Sequence, residues 1–185
     1  MFNPLRYDDS MQTSNAPAPE AILPEDADKG GASISAARDA GAPAISVAMS
    51  VYNCSRFLDA AIASVRRQTF SDFEFLILDD GSTDGSLDIA LRHARQDPRI
   101  RVIARENRGL IASLNELLDM ARAPLFARMD ADDICRQDRF ARQVAFLEAH
   151  PDHGVIGTWT EDIDEYDRPF IATAPEHPTT SDEVL

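Results

Sequence analysis

The chain has 185 residues, 44% of them hydrophobic, and a formal net charge of −14. That is room for one domain with a real core, and it offers no basic face for a nucleic acid. Two cysteines exclude a disulfide framework, and no apolar run approaches the roughly 20 residues that a membrane-crossing helix needs.

Residues 1–43 hold 7 acids and 3 bases among Ala, Pro, Ser and Gly, with few large apolar residues and no period. This composition predicts a disordered tail over 1–43. Met1–Asp9 has no basic stretch followed by an apolar one, so no signal peptide is expected. Residues 44–150 hold 16 acids and 14 bases, and there the pattern becomes regular. Ile45–Ser50 reads as a strand. Ser55 is placed to cap a helix running to about Gln68, with Leu58, Ile62 and Val65 on one face. Phe73–Leu78 reads as a buried strand that runs into the turn-rich Asp79–Gly85. Asp84 or Ser86 opens a second helix. Ile100–Ile103 is a third strand, Arg105–Gly109 a loop, and Leu110, Leu114, Leu117 and Leu118 mark a third helix. Leu125–Met129 is a fourth strand. Asp138 or Gln137 opens a helix carrying Phe140, Val144 and Leu147. Val155–Trp159 is expected to be a fifth strand, and Asp164–Arg168 a turn into a sixth at Pro169–Ala172.

Strands alternating with helices imply a mostly parallel sheet flanked by helices, with ligands bound beyond the carboxyl ends of the strands. Three loops then converge: Val51–Ser55, Asp79–Gly85 and Asp130–Asp133. Tyr52 brings a flat face for a base, and Asp79 and Asp80 bring acceptors for a base N–H or a ribose hydroxyl. Three carboxylates within Asp130-Ala131-Asp132-Asp133 raise each other's pKa unless a cation sits among them, and hard divalent ions suit such oxygens. Each loop also has a plain reading: a helix-opening turn at Asp79–Gly85, packing at Tyr52, a helix N-terminus at Asp130–Asp133. Their arrival in register on successive units favours a site.

Four segments carry a resemblance. Ile45-Ser-Val-Ala-Met-Ser-Val-Tyr-Asn53, Gln68-Thr-Phe-Ser-Asp-Phe-Glu-Phe-Leu-Ile-Leu-Asp-Asp-Gly-Ser-Thr-Asp84, Asn107-Arg-Gly109 and Met129-Asp-Ala-Asp-Asp133 resemble family 2 glycosyltransferases of the GT-A fold, over about residues 44–175. The resemblance implies an α/β, Rossmann-like GT-A sheet in a donor-binding domain at 44–185. It also implies a nucleotide-diphosphate-sugar donor, a divalent Mg²⁺ or Mn²⁺, inversion at the anomeric carbon, and a saccharide or lipid-linked acceptor. The work would be polysaccharide biosynthesis, in the cytoplasm or at the inner face of a membrane. It places Ser50, Tyr52 and Asp80 around the nucleobase, with Asn53 and Asp79 on the same donor-binding loops. Asp130 falls near the ribose or the metal, and Asp132 on the metal with Asp133 beside it. Asn107, Arg108 and Gly109 would line the donor pocket, Arg108 offering phosphate a bidentate donor.

The family's general base, an Asp or Glu, usually lies well C-terminal to the acidic motif. Here 52 residues follow Asp133, and Glu161, Asp162, Asp164 and Glu165 fall too early for it. The expectation is therefore a donor-binding part truncated at its C-terminus, with no base assigned. Two readings stay open: a glycosyltransferase, or a non-catalytic nucleotide-sugar-binding fragment. A phospho-receiver domain would need a lysine near the acids, and the only one is Lys29, in the tail.

Overall fold

Every residue of Phe73–Asp79 is buried, as an apolar run covered on both faces must be. This segment, β2, lies inside a four-stranded parallel sheet. In the computed structural model the described residues are 41–158, 160–164 and 168. Their elements run β1 (Ile45–Val51), α1 (Ser55–Arg66), β2, α2 (Ser86–Ala94), β3 (Ile100–Ala104), α3 (Leu110–Met120), β4 (Leu125–Arg128) and α4 (Arg139–Ala149). The strand order is β3-β2-β1-β4. The chain thus winds outward from β1 through β2 to β3, then returns to the opposite side of β1. That reversal makes a switch point between β1 and β4.

Alternation in the strands sorts side chains to two faces. Val47, Met49 and Val51 of β1, with Phe75 and Ile77 of β2, meet Leu58, Ile62 and Val65 of α1 and Phe140 of α4. Ala48, Leu76 and Leu78 face the other way and pack on Leu117 of α3. Burying a side chain such as Phe75 or Leu76 contributes roughly 1.5–3 kcal/mol. The four-leucine stripe expected on α3 is narrower than its spacing suggests. Leu117 is fully buried, whereas Leu110 and Leu118 are about half exposed.

A polar staple at the amino ends of the strands seats β4. Glu74, on β2 and buried, accepts the Ser46 hydroxyl at 2.6 Å. It also accepts the Arg122 backbone N–H at 2.9 Å and Arg122 Nε at 2.8 Å. The Ala123 N–H reaches Ser46 Oγ at 3.1 Å. The chain leaving α3 is thereby tied to β1 and β2 just before it enters β4. Burial alone would raise the Glu74 carboxyl. The Ser46 hydroxyl and the Arg122 donors outweigh it and hold it below the usual carboxylate range.

Two expectations change. Residues 155–158 are not strand, and Val155 is 88% exposed; an apolar run becomes a strand only where an edge pairs its backbone groups. Ser55 is the first residue of α1 and gives it no side-chain cap, whereas Asp138 stands at the N-cap of α4, as expected, though without a side-chain cap bond. Of the turn expected at Asp164–Arg168 only the two end residues are described, the Asp164 N–H donating to the Arg168 carbonyl at 2.9 Å. The tail residues 1–40, Trp159 and the strand expected at Pro169–Ala172 lie outside the described residues.

Candidate functional site

Register brings three strand ends to one level: Val51 pairs with Asp79, and Asp79 with Ala104. β4 is displaced, since Arg128 pairs with Ala48. The acidic loop after Met129 therefore rises alongside the end of β1, at the switch point.

The first two loops are laced together. The Asn53 N–H donates to Ser82 Oγ at 3.0 Å, and Asn53 Oδ1 accepts the Thr83 N–H at 2.8 Å. The Cys54 N–H donates to Ser86 Oγ at 3.0 Å, and the Ser55 N–H to Asp84 Oδ2 at 2.9 Å. Asp84 Oδ1 takes the Ser86 hydroxyl at 2.6 Å and the Ser86 N–H at 3.0 Å, so this one carboxylate satisfies the starts of α1 and α2. These donors hold Asp84 far below the usual carboxylate range, the Ser86 hydroxyl most of all. In Ser82–Ser86 the helix-opening reading of the sequence is thus the correct one. Asn53 sits at φ 49, the left-handed region, and its amide oxygen is spent on the lacing. Its neighbour Tyr52 is left 56% exposed at the rim. Ser50, half-buried near the end of β1, lies on the face that packs against α3.

Asp79 and Asp80 part company, as successive strand residues must. Asp79, 2% exposed, accepts the Ser82 N–H on Oδ1 at 3.1 Å. Its Oδ2 is buried and has no hydrogen-bond partner among the described residues. Asp80, also 2% exposed, takes the Arg108 N–H on Oδ1 at 2.9 Å and the Gly109 N–H on Oδ2 at 2.8 Å, and its Oδ1 also meets the Arg105 guanidinium. Burial would raise this carboxyl; the two amides and the guanidinium hold it below its ordinary value. Three of its roughly four lone-pair positions are used, leaving one on Oδ2. Asp79, Gly81, Ser82, Leu87, Arg105 and Asn107 help line a shallow cavity of about 530 Å³. Gly81 is required there: its φ is +78°, and a Cβ would lie 2.9 Å from the Asn107 nitrogen. Asn107 and Arg108 are exposed, and Gly109 opens α3.

The acidic loop is held from below and free above. Gln68, buried, donates to the Arg136 carbonyl at 2.6 Å and accepts the Phe140 N–H at 3.1 Å. The Cys135 N–H donates to Ser64 Oγ at 3.0 Å, and Arg139 reaches the Arg128 carbonyl at 3.2 Å. On the upper side Asp132 and Asp133 are exposed. Asp130 is gripped by Arg128, Nε to Oδ1 at 2.9 Å and Nη2 to Oδ2 at 3.0 Å. Burial, then the charges of Asp130 and Asp132, raise the Asp133 carboxyl. Burial, then Asp132 and Asp84, raise the Cys54 thiol, which sets the third loop against the first two.

Among the described residues no three His, Cys, Asp or Glu side chains form a ready metal cage. The donor chemistry nonetheless suits a hard divalent ion: Asp130 and Asp132 supply oxygens, and the mutual repulsion felt by Asp133 is what a cation would relieve. Arg128 already occupies Asp130, which spacing alone did not foretell. Arg105, Gln68 and the Ser82–Ser86 lacing were also missed as parts of the site. The only signal for Gln68 was its place in the second motif segment.

The model of Glycosyl transferase family 2 matches residues 46–182. The assigned glycosyltransferase EpsE of Bacillus subtilis (strain 168) is 41% identical over 126 residues, which are 67% of this chain and 45% of that protein. The amylovoran biosynthesis glycosyltransferase AmsE of Erwinia amylovora is 32% identical over 70% of this chain and 50% of its own length. The chain thus spans half or less of the length of these relatives. Among solved structures, Staphylococcus aureus TarS 1–349 in complex with UDP-GlcNAc superposes with a TM-score of 0.54, at 26% identity over 57% of this chain and 31% of that one. A Pyrobaculum calidifontis mannosyltransferase in complex with GDP-Man and Mn²⁺ gives a TM-score of 0.53, covering 65% of this chain and 36% of that one; at 24% identity it speaks for the fold alone, that of GT-A glycosyltransferases.

Proposed function

For a chain that belongs to glycosyl transferase family 2, we propose that it is the donor-binding part of a glycosyltransferase that takes a nucleotide-diphosphate sugar and transfers the sugar with inversion. The observation that carries this reading is the shared level of three strand ends beside the acidic loop. It gathers a flat aromatic, two buried acceptors and an acidic cluster whose Asp132 and Asp133 are exposed at the switch point.

Tyr52 supplies a face for the base. Asp80 Oδ2 and the orphaned Asp79 Oδ2 supply acceptors for N–H or hydroxyl donors of the nucleoside. Asn107, Arg108 and the Gly109 backbone bound the pocket, with Arg108 free to meet phosphate oxygens. Asn53 acts through the lacing rather than by contact. Asp130 and Asp132 would hold Mg²⁺ or Mn²⁺, whose chemistry there is to offset the charge of the departing nucleoside diphosphate. The relatives and neighbours named above support a role in polysaccharide synthesis and binding of a nucleotide sugar.

Isothermal titration with uridine and guanosine diphosphates, with and without Mn²⁺, tests the reading. Metal-dependent binding of at least one is expected; none at all overturns it. Because the chain spans 45% of EpsE, the second reading is donor binding without transfer. A transfer assay separates the two, and turnover by this chain defeats the second.

A further inference from the structure

One side chain joins three walls of the donor pocket, and no motif pointed to it. Arg105 stands just past the end of β3, 11% exposed. Its Nη1 meets the Asp80 carboxylate and donates to the Glu106 carbonyl at 2.8 Å. Its Nε donates to Glu116 Oε2 at 2.8 Å, and its Nη2 to Ser113 Oγ at 3.0 Å, both on α3. Ser113 in turn donates to the Gly109 carbonyl at 2.9 Å. One guanidinium therefore braces the end of β2, the loop before α3 and the first turns of α3.

We propose that Arg105 is a positioning residue of the donor pocket, holding Asp80 ionised and fixed so that one acceptor position stays open to an N–H or hydroxyl of the bound nucleoside. The role rests on the donor-binding reading above. A guanidinium donates and never accepts, so the group facing it stays an anion. Without that partner Asp80 keeps the Arg108 and Gly109 amides but loses the positive charge beside it, so this buried carboxyl takes up a proton more readily. The charged groups around Asp80 are Arg105 at the end of β3, Glu116 reaching Arg105 from α3, and Asp79 beside it in the chain. Lysine cannot replace the role in full, because a point charge cannot grip Asp80, Glu116 and Ser113 in one plane.

The test compares wild type with Arg105→Gln and Arg105→Lys, using Arg142→Gln on the exposed face of α4 as a charge control. Binding of uridine and guanosine diphosphates with Mn²⁺ is titrated across acid to neutral pH, and melting is followed in parallel. Arg105→Gln is expected to weaken binding about tenfold, the size of one charge-assisted hydrogen bond. It should also move the acid limb of binding to higher pH, because Asp80 then protonates more readily. Arg105→Lys should recover part of both effects, and stands alone if the glutamine variant does not fold. A folded variant at Arg105 with unchanged affinity and an unmoved acid limb overturns the positioning role alone. Wild type that binds neither nucleotide overturns the donor reading and this role together.

Discussion

Asp79–Asp80 and Asp130–Asp133 both follow parallel strands of one sheet, yet they are in opposite electrostatic states. The first pair is buried, and Asp80 is surrounded by donors that hold it ionised. In the second cluster Asp132 and Asp133 are exposed, and Asp133 is raised by burial and by its own neighbours. The difference lies in what the adjoining chain supplies. Beside Asp80 a neighbouring strand ends in an arginine and a loop turns two amides inward. Beside the acidic loop Arg128, itself half exposed, grips Asp130, and Arg139 bears on Asp133 through its charge without outweighing the burial and the like charges. The protein satisfies Asp80 from within and leaves Asp132 and Asp133 facing outward.

The sharpest way to break that contrast is to remove one acid from each. Asp80→Ala should cost about 3 kcal/mol in urea unfolding, since it strands a buried guanidinium and two amides. Asp132→Ala should leave the unfolding midpoint in place and abolish the Mn²⁺ dependence of nucleotide binding. Equal loss of stability in both would end the distinction.

Glu74, at the other end of β2, extends the comparison to acidity. Glu74→Gln should cost about 2 kcal/mol at neutral pH. Its folded pKa is depressed, so the stabilisation is complete above about pH 5 and is lost as pH falls through the folded value. The gap between wild type and variant should therefore close on acidification, as read by denaturant midpoints. A gap independent of pH would show that geometry rather than charge seats β4.

Asn53 tests whether lacing matters apart from charge. Asn53→Ala forfeits the Thr83 bonds and leaves at positive φ a residue that tolerates the left-handed region less well than asparagine, for an expected loss of about 1–2 kcal/mol. Asn53→Gly relieves the strain and should lose less. The smallest effect is expected at Asp133→Asn. It should raise stability by a few tenths of a kcal/mol at low salt, because the removed charge faces like charges near the surface.

The four strands were legible because apolar runs such as Phe73–Leu78 leave few alternatives to a covered parallel strand. The same logic overreached at Val155, where composition suits a strand but the backbone pairs with no sheet edge among the described residues. The acidic loop was legible as a site because three acids lie within four positions. The state of Asp80 was not, because the guanidinium and the two amides that decide it lie 25 to 29 residues further on, and nothing in the order of that loop tells which of its groups turn toward Asp80. The division of labour inside Asp79–Gly85 was hidden for a related reason. Its Ser82, Thr83 and Asp84 bond to Asn53 and Ser55, 29 or 30 positions earlier.

Gln68 has a consequence for how the molecule assembles. Its amide ties residues 68 and 72 positions away, and those ties seat the acidic loop. Contacts that distant must wait for the chain between them to close. The loops after β1 and β2, proposed above to take the nucleoside, are then expected to form before the acidic loop. Pulse-labelled hydrogen exchange during refolding should find the amides of β2 shielded while the Phe140 amide still exchanges freely, and a nascent chain released before residue 140 should already hold Tyr52 and Asp80 in their final places.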